Sequence, residues 1–158
     1  VIRILGIDPG GTTGFADLIG WPGYYHVEPT QLRGRDTGDM DPVGAVKAML
    51  GIRTYTVVAM ERFVVSRRAG RSKTSGAGEQ ARNIIGAVTS LCQEAGVPVV
   101  LRSASQVKAW ATDNRLEAAG LLAPTRGLPH ARDATRHALY AAVWDCGLPD
   151  PLSGRDNA

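Results

Sequence analysis

Cysteine is scarce in this chain, membrane-length apolar runs are absent, and neither sign of charge dominates. The 158 residues include two cysteines, Cys92 and Cys146, without C-x-x-C spacing. That argues against a disulfide framework, a zinc site or redox chemistry, and both thiols read as small hydrophobes buried in helices. No stretch approaches the ~18 apolar residues that cross a bilayer, so no membrane partner is expected. The first residues form an apolar run without the basic and apolar regions of a signal peptide, which predicts a cytoplasmic protein. A net charge of +3 is too slight to identify a nucleic-acid partner by itself. Internal repeats and low-complexity segments are also missing. Apolar content of 44% and charged content of 21% are those of a globular protein. A chain this long can bury roughly 68–70% of its unfolded surface in one core. One domain over residues 1–146 is expected, followed by a short tail over 147–158 whose Pro/Gly/polar composition from Leu148 predicts fraying.

What is present begins with a charge in an unusual place. Val1 to Ile7 (VIRILGI) reads as a strand buried on both faces, and the next residue is Asp8, followed by PGGTTG. Pro9 and the glycines turn the chain into a returning strand, Thr13 to Ile19. A carboxylate at the rim of a sheet must be paired, hydrogen-bonded or bound to a cation, because desolvating it alone is costly. Asp8 either organises the turn by accepting backbone N–H bonds or has a functional role. Thr56 to Met60 is a second short apolar run, and it ends in Glu61, repeating the pattern.

Between these runs, Tyr24 to Leu32 predicts a third strand. The acidic loop of Asp36, Asp39 and Asp41 lacks the ligand series of a calcium-binding EF-hand, and Asp41-Pro42 reads instead as the cap of a helix to Leu50. A long helix is predicted from Gly78 to Ala95, with Ala81, Ile84, Ile85, Val88, Leu91 and Cys92 as its apolar stripe. Val97 to Leu101 gives a fifth strand, and Ser103 with Gln106 forms a capping-box pattern opening a helix that carries Lys108 and Trp110. A final helix is expected from Pro129 to Cys146, ended by Gly147.

On that last helix His130, Asp133 and His137 share one face, beside Ala134, Ala138, Ala141 and Ala142, which are small enough to let the helix approach a sheet. Taken locally, His130 could be an N-terminal cap or surface residue and Asp133 a first-turn acid favoured by the helix dipole. Together with Asp8 and Glu61 they make a set of oxygen and nitrogen donors that repel one another unless cations intervene. Hard divalent ions such as Mg²⁺ or Mn²⁺ relieve that repulsion, and two such ions can activate water against a phosphodiester.

The segments ILGIDPGGTTGFA, VVAMERF and HARDATRHALYAAV, in this order and with these separations, resemble the RuvC family of Holliday junction resolvases within the RNase H-like nucleases. GEQARNIIGAV and SASQVKAW resemble the family's intervening helices, and the likeness covers about residues 1–146. It implies an α/β, RNase H-like fold with a mixed five-stranded sheet flanked by helices. It also implies a homodimer making paired symmetric nicks in four-way junctions with two Mg²⁺ or Mn²⁺ ions per site, leaving 5′-phosphate and 3′-hydroxyl ends. Residue by residue, the implied ligands are Asp8, Glu61, His130 and Asp133, and Lys108 matches a basic residue implicated in activity. Many members carry aspartate where His130 stands, and ATDNRLEAAGLL lacks the family's glycine-rich, lysine-bearing stretch.

DNA contacts are expected from Arg62, Arg67, Arg68, Arg71 and Lys73, a basic run without an acid, because guanidinium groups engage phosphates bidentately. Phe63 could stack on a base at a branch point or pack as a core aromatic. His137 reads as a supporting rather than a ligating group. Two other functions fit parts of the pattern. GIDPGGTTG also resembles the phosphate-binding hairpin of acetate and sugar kinases, but these need a second domain that 158 residues do not accommodate. A non-cleaving junction-binding protein, or a less selective fork and flap nuclease, would keep the same residues. A bacterial or phage origin would suit such a compact resolvase.

Overall fold

The structure, a computed structural model, describes residues 1–33, 41–64 and 75–153. Its sheet has the order β3-β2-β1-β4-β5, with β1 Ile2–Asp8, β2 Thr12–Trp21, β3 Tyr24–Arg33, β4 Val57–Glu61 and β5 Val99–Arg102. The first three strands form an antiparallel meander, while β4 and β5 run parallel to β1. This is the mixed five-stranded α/β sheet expected. The β2–β3 turn is Pro22-Gly23, where the positive φ of 87° at Gly23 needs a residue without Cβ.

Side chains alternate across the sheet and so divide the core in two. On one face Ile4, Ala16, Leu18, Val57 and Ala59 pack under helix α5, Pro129–Trp144, through Ala134, Ala138, Leu139, Ala141 and Ala142. On the other, Leu5, Ile7, Phe15, Val58 and Met60 meet Ala45 and Val46 of α1, Pro42–Ile52, and Ile84, Val88 and Cys92 of α2, Ser75–Glu94. The cap of α1 is Asp41, whose Oδ1 accepts from Gly44 N at 2.6 Å; Asp36 and Asp39 lie outside the described residues.

The small stripe of α5 works together with two glycines in the sheet. A Cβ on Gly6 would sit 2.1 Å from Ala134 O, and one on Gly14 would sit 2.1 Å from His130 C and O. The helix backbone therefore rests directly on β1 and β2.

Several expectations need correction. Helix α5 ends at Trp144, so Cys146 lies just beyond it and is half-buried, whereas Cys92 is buried in α2. After α3, Ala104–Trp110, the chain forms a further helix, α4, Asp113–Ala118, and a 3₁₀ turn at Ala123–Thr125. Ser103 accepts from Gln106 N, but the Gln106 side chain donates to Tyr140 OH instead of closing the capping box. Residues 148–153 are not frayed. Leu152 is fully buried, Tyr25 OH donates to Pro149 O at 2.5 Å, and Arg115 pairs with Asp150 at 3.5 Å. Packing of one apolar side chain outweighs a composition that favours disorder.

Candidate active site

Strands β1 and β4 are in parallel register from Ile4 opposite Val57 to Ile7 opposite Met60, so Asp8 and Glu61 follow as neighbours at the strand ends. Alternation sends both to the face covered by α5, because Ile4 and Gly6 precede Asp8 there, as Val57 and Ala59 precede Glu61. The turn after Asp8 is tied by another residue: Thr13 Oγ1 donates to Gly10 O at 3.0 Å and accepts from Gly10 N. Turn-making does not occupy Asp8.

The first turn of α5 completes the cluster. Close contact with Gly14 brings His130 Nδ1 to 2.8 Å from Asp8 Oδ2. The N-cap of α5 is Leu128, with Pro129 at the first helical position, so His130 is no cap, and Asp133 falls beyond the first turn. Asp133 is gripped by two cations. Lys108 Nζ, at the end of α3, lies 2.7 Å from its Oδ2, and Arg136 Nη1 donates to its Oδ1.

Burial and mutual charge raise the proton affinity of the strand-end acids. Glu61 is pushed from 4.5 up to about 7, first by desolvation and then by the Asp8 charge and a hydrogen bond to Asp8. Asp8 is also raised, chiefly by burial, with Asp133 adding to the effect and the His130 hydrogen bond opposing it. Behind them His137 is 2% exposed and its Nε2 has no hydrogen-bond partner. Desolvation lowers it from 6.5 to about 4, which keeps it neutral at physiological pH.

Five sequence-predicted residues, Asp8, Glu61, His130, Asp133 and Lys108, are thus brought together. Arg62 is exposed beside Glu61, and the Phe63 ring packs against Gly78 with the Arg82 guanidinium 5.5 Å from its centroid. These two residues, with Arg82, Ile85 and Leu101, line a groove of about 280 Å³ on the α2 side of the sheet, just past the end of β4. Arg67, Arg68, Arg71 and Lys73 lie outside the described residues. A cleft of about 460 Å³ between the β2–β3 turn and Pro149 to Ser153 is lined by Tyr24, Tyr25 and Asp150 and contains none of the cluster residues. Sequence reasoning does not single out Arg136, although an arginine three residues after an acid on one helix is a recognisable pairing signal.

Among the described residues, no three His, Cys, Asp or Glu side chains are already gathered as a metal-binding group. The donors engage protein partners instead: His130 with Asp8, and Lys108 and Arg136 with Asp133. The chemistry of the set nevertheless fits a hard divalent cation, since Asp8 is hydrogen-bonded to both Glu61 and His130, the Asp133 charge acts on both strand-end acids, and those two acids resist ionising side by side. No helix among the described residues is long and apolar enough to cross a membrane.

No family model matches the sequence, and no curated protein is significantly similar to it. Solved structures are. The chain resembles Thermus thermophilus RuvC in complex with a Holliday junction substrate, and a further structure of RuvC from that organism. Each is 24% identical, with a TM-score of 0.63, covering 92% of this chain and 96% of that one. The fold of this chain is that of RuvC.

Proposed function

We propose that this chain is a member of the RuvC family, a metal-dependent endonuclease that resolves Holliday junctions by paired symmetric nicks, leaving 5′-phosphate and 3′-hydroxyl ends. The observation that carries the reading is the convergence of Asp8 and Glu61, from adjacent strand ends, with His130 and Asp133 from one helix. These four would hold two Mg²⁺ or Mn²⁺ ions. Bound there, such ions supply an activated water and neutralise the leaving oxygen of a phosphodiester.

The chain's own residues do the positioning. Lys108 keeps a cation against the Asp133 side of the cluster, and its 47% exposure leaves it free to turn towards a phosphate. Arg62 and the groove beside Phe63 offer a phosphate contact and an aromatic surface for a strand entering the site. Arg67, Arg68, Arg71 and Lys73, which follow in the sequence and lie outside the described residues, add four further cations as phosphate partners. A homodimer would present two such sites, related by its two-fold axis, to the two junction strands of like polarity.

A gel assay with labelled four-way junction, fork, flap and linear duplex, with and without Mg²⁺ or Mn²⁺, tests the proposal. The junction should be cut into nicked duplexes whose ends can be religated, and only with the ion present. Equal cutting of forks and flaps would instead indicate a less selective branched-DNA nuclease, and binding without cutting would indicate a junction-binding protein.

A further inference from the structure

Arg136 is the most completely engaged cation near the cluster. Its side chain is 9% exposed, and a guanidinium so buried needs partners for its charge and its donors. It finds them on three elements. Nε donates to Ala111 O at 2.8 Å, Nη2 to Asp113 Oδ1 and Nη1 to Asp133 Oδ1. Ala111 closes α3, Asp113 opens α4, and Asp133 belongs to α5. Asp113 also pairs with Arg132 Nη1 at 3.2 Å, so it ties α4 to α5 through two arginines, away from the contact with Asp133.

The two cations on Asp133 therefore differ in kind. Arg136 is a planar, buried fork with fixed partners, while Lys108 is a flexible ammonium that solvent reaches. We infer that Arg136 is a positioning residue of the active site: by fixing Oδ1 of Asp133 it sets the carboxylate plane and leaves Oδ2, the oxygen facing Lys108, as the working face. Lys108 is the partner that can let go, and Arg136 the one that stays. This rests on the nuclease reading, because the orientation of Asp133 matters only if Asp133 works on the substrate.

The alternative is that Arg136 merely braces α3, α4 and α5, with Asp133 as a convenient counter-ion. Three variants separate these roles: Arg136→Gln removes the fork, Arg136→Lys keeps the charge without the fork, and Asp113→Asn loosens the brace while leaving the grip on Asp133. For each, single-turnover junction cleavage with Mg²⁺, junction affinity with Ca²⁺ and the melting temperature are measured. Misplacing a reacting group by about 1 Å can cost on the order of 100-fold. Arg136→Gln should therefore cut about 100-fold more slowly with junction affinity within about threefold of wild type, and Arg136→Lys should recover about tenfold of the loss. Asp113→Asn should melt earlier yet cut within about threefold of wild type. If Arg136→Gln does not fold, slower cutting by Arg136→Lys than by Asp113→Asn carries the same conclusion. Rates that fall only in step with melting temperature across the variants, or Arg136→Gln or Arg136→Lys cutting like wild type, would overturn the positioning role while leaving the nuclease reading intact. A wild type that binds the junction but never cuts it removes the nuclease reading, and the inference with it.

Discussion

At the scale of single residues, the cluster sits in conflict with its own stability. Glu61 binds its proton more tightly in the fold, at about 7, than its ordinary value of 4.5. The folded chain therefore holds more protons than the unfolded one between these values, and stability declines as pH rises from about 4.5 through about 7. Glu61→Gln removes that penalty. In metal-free buffer it should melt above wild type at pH 8, with the gap closing towards pH 5, as read by thermal unfolding across pH; parallel curves would contradict the raised affinity. The four candidate ligands are legible in the sequence because each belongs to a regular pattern, a run that ends in an acid or a helical spacing, whereas Lys108 is marked only by the resemblance to the RuvC family. Arg136, Asp113 and Ala111 are not legible, because their convergence depends on how α3 and α4 fold back on α5. The orphaned Nε2 of His137 also appears only when the packing is known.

At the scale of elements, the site depends on how closely α5 lies on the sheet. Gly6→Ala places a methyl 2.1 Å from Ala134 O, a backbone atom that cannot move alone. The helix must lift, carrying His130 and Asp133 away from Asp8 and Glu61. The substitution should cost about 3 kcal/mol, the upper end for overpacking, and cleavage should fall further than junction binding. Gly51→Ala on α1, where nothing lies within 4 Å, should instead be neutral or add up to ~1 kcal/mol. Urea unfolding of the pair makes the comparison, and equal effects would show that α5 is not in tight contact. The strands, α1, α2 and α5 are readable from periodicity and caps. Helix α4 has a cap signal, Thr112 accepting from Arg115 N, but spans six residues and is held mainly by burial of Leu116. Elements that short owe their existence to tertiary contact, which a sequence pattern does not display.

At the scale of the whole molecule, the sheet divides the labour. The face under α1 and α2 is apolar core around one buried carboxylate, Asp17, which Arg3, Arg53 and Tyr55 hold, while the face under α5 is core for most of its length and opens into the acidic cluster where β1 and β4 end. The segment from Leu148 to Ser153 helps close the opposite end, since Leu152 joins the core under α5. The buried Leu152 and the acidic cluster thus lie at different ends of one helix. Asp8 stands in that cluster, buried enough to resist ionisation and bonded to His130 rather than to the turn it precedes. The most direct measurement is junction cleavage beside junction binding for wild type and Asp8→Asn, at equal protein and saturating Mg²⁺. Wild type should cut and Asp8→Asn should not, while both bind the four-way junction with similar affinity; an Asp8→Asn protein that still cuts would contradict the account.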